Sequence, residues 1–69
     1  MKLTNKQTVL LADHTARADY YELLRGQGEP CWFIRSGMQG PIRSAICATP
    51  RKAWEDSAAR LRTALRKTA

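Results

Sequence analysis

The segment CWFIRSGMQGPIRSAIC, residues 31–47, constrains the fold most, because it predicts a β-hairpin with apolar side chains on both faces. The first strand is predicted over residues 31–36 and the second over residues 42–48. The GMQGP sequence between them supplies the glycines that a tight turn requires. A two-stranded hairpin is only marginally stable by itself in water. Other parts of the chain, or a partner, must therefore cover it.

The two faces of the predicted hairpin differ in composition. A three-residue loop, Met38 to Gly40, places Cys31 opposite Cys47, although a shift of one residue would change every cross-strand pair. The richer face then carries Trp32, Ile34, Ile42 and Ile46. The poorer face carries Phe33, Cys31, Ala45 and Cys47, with Arg35 and Arg43 near the turn.

A helix is predicted before the hairpin, over residues 5–25. Thr4 and Gln7 have the spacing of a capping box at its start, and the sequence RGQGEP ends it. Apolar residues recur at helical spacing between these two signals. The alternative to a continuous helix is a kink near Asp13, because Asp13 or Thr15 can cap a second helical segment.

A second helix is predicted after the hairpin, over residues 50–67. Thr49 is a favourable N-cap residue, and Pro50 suits the first helical position. Apolar residues follow one another at steps of four, three and four, which indicates the buried stripe of a helix. These residues are Trp54, Ala58, Leu61 and Leu65.

The element order predicts an α+β fold, αββα, in a single domain of residues 1–69. Both helices packing on the richer hairpin face is the simplest arrangement, and one helix on each face is the alternative. A core in a chain this short contributes only about 3–5 kcal/mol. With both helices on one face, the poorer face needs cover from outside the protomer, so we expect a homodimer or an obligate partner. The expected apolar interface consists of Phe33, Cys31, Ala45 and Cys47.

The chain is strongly basic, with a net charge of +6 from 12 Lys and Arg against 6 Asp and Glu. This favours acidic partners, either nucleic acid or an acidic protein surface. Arg51 and Lys52 open the second helix, where backbone N–H groups attract anions. A solvated face that complements the helix dipole is the competing interpretation. The candidate basic surface consists of Arg51, Lys52, Arg60, Arg62, Arg66 and Lys67, extended by Arg35 and Arg43 of the hairpin.

Catalytic and metal-binding patterns are weak in this sequence. His14 is the only histidine, the two cysteines lie sixteen residues apart, and no phosphate-binding glycine loop is present. We therefore expect no enzymatic activity, no metal and no cofactor. The sequence shows no signal-peptide pattern and no apolar run long enough to span a bilayer. We expect a cytoplasmic protein with reduced thiols and no membrane partner.

Two resemblances bear on function. The stretch SAICATPRKAWEDSAARLRTALRK resembles the last strand and helix of a double-stranded-RNA-binding domain. In that family, lysines that open the final helix contact phosphates, and Arg51 and Lys52 match those positions. In size and architecture, the whole chain is similar to small phage and mobile-element proteins that inhibit host machinery, including anti-CRISPR proteins. That resemblance implies a small, often dimeric protein without catalytic residues.

These observations lead to two predictions of function. The first is a non-catalytic binding protein, an inhibitor or accessory factor that docks on a host protein or protein complex. Its target is expected to handle nucleic acid, as CRISPR–Cas does. The alternative is direct binding of RNA or DNA through the basic second helix.

Overall fold

A computed structural model of the chain describes residues 2–68, with side chains described up to residue 66. The elements are α1 (Asn5–Ala12), β1 (Ala16–Tyr20), β2 (Trp32–Ser36) and α2 (Pro50–Thr68). The two strands form an antiparallel sheet, α2 packs on both of them, and α1 packs on α2. The predicted α+β class is therefore confirmed, although the strand that pairs most extensively with β2 is not the predicted one.

The first helix begins where the sequence predicts but ends much earlier. Thr4 and Gln7 form the predicted capping box, in which the Thr4 hydroxyl accepts the Gln7 N–H at 3.1 Å. The helix stops immediately before Asp13, whose carboxylate accepts the Thr15 N–H at 3.0 Å. This local bond offers the backbone an alternative to the next helical turn. The prediction of helix up to residue 25 is therefore wrong.

The strand β1 occupies the place of the missing helical turns. It pairs with β2 in antiparallel register, with Ala16 opposite Ser36 and Tyr20 opposite Trp32. The β1 sequence, ARADY, has little intrinsic preference for a strand, so pairing with β2 decides its conformation. The connection between the strands turns through Gly26 at a φ of 87°, a conformation that favours glycine.

The segment 42–47 lies along the other edge of β2 but is not a regular strand. It makes two isolated bridges to β2, Trp32 to Cys47 and Arg35 to Ile42. Between these bridges the segment advances by five residues while β2 advances by three. Ser44 fills the resulting bulge, and its Oγ accepts the Ile34 N–H at 2.9 Å. The predicted pairing of Cys31 with Cys47 is wrong by one residue, because the bulge changes the register.

The core lies between the helices and the face of the sheet that carries Ile34. Ile34 is fully buried, as are small residues of α2 that let the helix approach closely. The buried cluster consists of Val9, Ala16, Ile34, Ala53 and Ala58. Of the four residues predicted for the richer hairpin face, Ile42 and Ile46 are 43% and 45% exposed. Their expected burial is wrong, because the bulged segment does not follow the strand alternation.

Phe33 is covered by the protomer itself, contrary to the sequence prediction. Its side chain is only 1% exposed, the Tyr21 ring lies 4.7 Å away between centroids, and the Arg35 guanidinium lies 5.1 Å from its ring. Cys31 is 5% exposed. The predicted exposure of both residues is therefore wrong, since residues around the β1–β2 connection cover that face. The sequence predicts a dimer because this face would need cover from a second protomer, and the burial of Phe33 and Cys31 removes that need.

The remaining two members of the predicted interface differ from each other. Ala45 is exposed, whereas Cys47 is half-buried and packs against the core cluster. The two thiols are free, and Cys31 is not part of that cluster. The register places Cys47 opposite Trp32, so neighbouring Cys31 points to the other face of the sheet. A disulfide between them is therefore disfavoured by geometry.

The second helix begins where the sequence predicts, but its buried stripe differs, because Leu65 of the predicted stripe is 68% exposed. The Thr49 hydroxyl accepts the Lys52 N–H at 3.2 Å, as expected of an N-cap residue. Ala53, Ser57 and Ala58 form its most deeply buried stripe. Among the described residues, no helix has both the length and the apolar character needed to cross a bilayer.

Candidate functional site

A groove of about 900 Å³ lies between the start of α1 and the first four turns of α2. Its cations are Lys2 and Lys6 on one side and Arg51 and Arg62 on the other, and Trp54 forms part of its wall. None of the residues that line it is acidic. We call this feature the basic groove. Its lining creates a concentrated positive potential next to an aromatic surface.

The positions of these side chains follow from the two helices. Arg51 and Arg62 are eleven residues apart, which is close to three helical turns, so they share one face of α2 about 16 Å apart. The capping box at Thr4 sets the start of α1 and therefore the position of Lys6. Asn5 joins the two helices, because its Oδ1 accepts a hydrogen bond from Arg62 Nη2 at 3.3 Å.

Trp54 belongs both to the core and to the groove. It is half-buried and packs against the core cluster, as the sequence predicts. The Lys6 Nζ also lies 5.7 Å from the centroid of the Trp54 ring, within the range of a cation–π interaction. The other tryptophan, Trp32, lies in the sheet, with its ring 5.0 Å from that of Tyr20.

Three of the predicted basic residues are neutralised outside the groove. Arg60 pairs with Asp56 at 2.8 Å on α2. Arg35 pairs with Asp19 at 3.4 Å, and Arg43 lies 3.8 Å from the Asp13 carboxylate. By contrast, no ion pair among the side chains of residues 2–66 involves a groove cation. The structure therefore does not gather the predicted basic set into one surface.

The other members of the predicted basic set are divided between the groove and the rest of α2. Arg51 and Arg62 line the groove, and Lys52 and Arg66 are exposed on α2 outside its lining. The side chain of Lys67 lies outside the described residues. Sequence reasoning missed Lys2 and Lys6, because it treated the start of the chain only as a helix cap. The signal was present in KLTNK, where the capping residue Thr4 lies between the two lysines.

A smaller cavity of about 310 Å³ lies between the end of α1, α2 and the segment 42–47. Val9, Ile42 and Leu61 contribute its apolar lining, and Arg43 and Arg60 contribute cations. At its edge, hydrogen bonds from Ser36 and then Thr15 lower the pKa of Asp13 from 3.8 to about 2. The ionised carboxylate therefore connects the end of α1 to β2.

The sulfur and imidazole groups do not assemble into a reactive site. Burial raises the pKa of the Cys47 thiol, with a further contribution from the Asp56 carboxylate, so it is protonated at neutral pH. His14 is exposed. Within the described part of the chain, no three His, Cys, Asp or Glu side chains are placed to hold a metal ion.

Comparison with known protein families, with curated proteins and with solved structures finds no match to this chain. The resemblances to double-stranded-RNA-binding domains and to phage inhibitors therefore remain expectations from sequence. The basic groove is the feature of the structure on which a function can be argued.

Proposed function

We propose that the protein binds nucleic acid through the basic groove. The observation that carries this proposal is the set of four cations, free of ion pairs within the described residues, around a half-buried tryptophan. A phosphate backbone places negative charges at short, regular intervals, and neutralising them releases bound counterions. The groove cations Lys2, Lys6, Arg51 and Arg62 supply that neutralisation without first breaking protein ion pairs.

The order of the elements supports the same proposal. The resemblance to a double-stranded-RNA-binding domain implies three strands between two helices. Here the segment 42–47 bridges β2 in the third position, and α1 is short. Of the two residues that match phosphate-contacting positions in that resemblance, Arg51 lines the groove and Lys52 lies outside its lining.

The salt dependence of binding tests the proposal. With four phosphate contacts, the slope of log K against log salt for a single strand is about −2.8, so affinity falls about 50-fold between 50 and 200 mM salt. Fluorescence anisotropy of a labelled 20-nucleotide strand measures this slope. Substitution of any one groove cation by glutamine, such as Arg51→Gln, makes the slope shallower by about 0.7.

Arg17→Gln is the matched control for this experiment. It removes the same charge, but Arg17 lies on the face of the sheet opposite the core, with its Nη1 on the Met38 sulfur at 2.9 Å. We expect its salt slope to equal that of the wild type. Failure of the unmodified protein to bind single or double strands at low salt would refute the proposal, as would equal slopes for Arg51→Gln and Arg17→Gln.

Docking on a host protein is the second candidate function, and the exposure of Ile42 and Ile46 favours it. Ile42 lines the smaller cavity together with Val9 and Leu61, which gives a partner an apolar surface to contact. In this case the protein is a phage-type inhibitor or accessory factor in the cytoplasm, where its two thiols stay reduced.

A pull-down from a bacterial lysate with and without nuclease separates the two functions. A partner that resists nuclease supports docking, whereas loss of all bound material supports the groove.

A further inference from the structure

We infer that the basic groove selects single-stranded nucleic acid, and that an unpaired base stacks on Trp54 in the place of the Lys6 ammonium group. This inference rests on the proposed function and specifies its ligand. Two features carry it: the position of Lys6 over the Trp54 ring, and the place of that ring in the wall of the groove.

The Lys6 ammonium group lies over one face of the Trp54 ring, and a base can displace it from that face. Lys6 is exposed on α1, and its Nζ lies 5.7 Å from the ring centroid. No carboxylate among the side chains of residues 2–66 pairs with it. The long lysine side chain can swing away without loss of an ion pair. Every base has a flat π face that can take the place of the ammonium group on the indole.

The displaced ammonium then has a phosphate to bind. A base on Trp54 brings its own backbone to the rim of the groove, where Lys6 changes its partner from the ring to a phosphate oxygen. Arg51 and Arg62, about 16 Å apart along α2, reach the phosphates on either side. Stacking and charge neutralisation therefore occur in the same step, and each favours the other.

A duplex can place its phosphates against the groove cations, but its bases are already stacked inside the helix. It therefore offers no free base face to Trp54.

Tryptophan fluorescence tests the inference. In a Trp32→Phe background, Trp54 is the only tryptophan. Three probes of equal length are added: a thymidine 12-mer, the same strand annealed to its complement, and an abasic 12-mer. We expect the thymidine strand to quench Trp54 emission and to bind about 5- to 150-fold more tightly than the abasic strand, the range given by stacking one base. The duplex should leave the emission unchanged.

Substitutions at Trp54, made in the wild-type background, supply the matched comparison. Trp54→Leu keeps apolar packing against the core but removes the π face, so it should lose the preference for the thymidine strand over the abasic strand. Trp54→Phe keeps a smaller π face and should retain part of that preference. Circular dichroism of each variant verifies that the fold is intact before binding is compared.

The outcomes separate this inference from the proposed function. If duplex, abasic strand and thymidine strand bind equally well and Trp54 emission does not change, stacking is refuted while phosphate binding in the groove stands. If none of the three probes binds at low salt, both the inference and the proposed function are refuted. Quenching by the thymidine strand alone, together with loss of the binding preference in Trp54→Leu, establishes the inference.

Discussion

Replacement of Ser44 by alanine removes a hydroxyl group that accepts a backbone N–H of β2, as a carbonyl of a neighbouring strand would do. Ser44 is 5% exposed, and its Oγ accepts the N–H of fully buried Ile34 at 2.9 Å. Ser44→Ala leaves that donor without an acceptor, which costs about 1–3 kcal/mol. At about 0.05–0.15 kcal/mol per residue, the whole domain is stable by about 3–10 kcal/mol. One hydroxyl group therefore accounts for a substantial part of the free energy of unfolding.

Urea unfolding followed by tryptophan fluorescence measures this loss. With a slope of about 1 kcal/mol per M for so small a domain, the midpoint should fall by about 1–3 M. Hydrogen exchange at the Ile34 amide should also become faster. Ser57→Ala is the control, because it removes an equally buried hydroxyl, on α2, that does not accept the Ile34 N–H. A midpoint for Ser44→Ala within about 0.3 M of the wild type would show that the Ser44 bond contributes nothing.

Three further predictions concern stability. Phe33→Ala should cost about 3–5 kcal/mol and lower the urea midpoint by about 3–5 M; a variant as stable as the wild type would contradict the burial of Phe33. Thr49→Ala removes the N-cap of α2 and should cost about 1 kcal/mol, seen as a lower Tm; an unchanged Tm would contradict the cap. The Asp13 pKa lies below its value in the unfolded chain, so its contribution is complete above about pH 4 and is lost as pH falls towards 2. Acid unfolding curves should therefore decline less for Asp13→Asn than for the wild type, and parallel curves would contradict this linkage.

The elements with strong local signals were predictable from sequence. Thr49 and Pro50 define the start of α2, and the apolar run at residues 32–36 defines β2. The strand β1 was not predictable from its own residues, because ARADY carries no strand pattern and adopts one only through pairing with β2. The turn at Asp13 was visible as a possible break in the helix, but no local signal indicated a strand after it.

Half of the groove was predictable and half was not. Arg51 and Arg62 were recognised as cations of one helix, but their neighbours Lys2 and Lys6 lie 45 to 60 residues away in sequence. Only the packing of α1 against α2 brings the two pairs together. Trp54 was assigned to the core on its helical spacing, and spacing alone cannot show that one face of a ring also borders a groove.

The bulged segment 42–47 has a consequence for the behaviour of the protein at high concentration. A regular third strand would present an even row of amide and carbonyl groups, to which strands of other molecules could add without limit. Here Pro41 precedes the segment. The segment also uses five residues where β2 uses three, and this bulge interrupts the row of amide and carbonyl groups. The irregular rim therefore gives an incoming strand no continuous template along this side of the sheet.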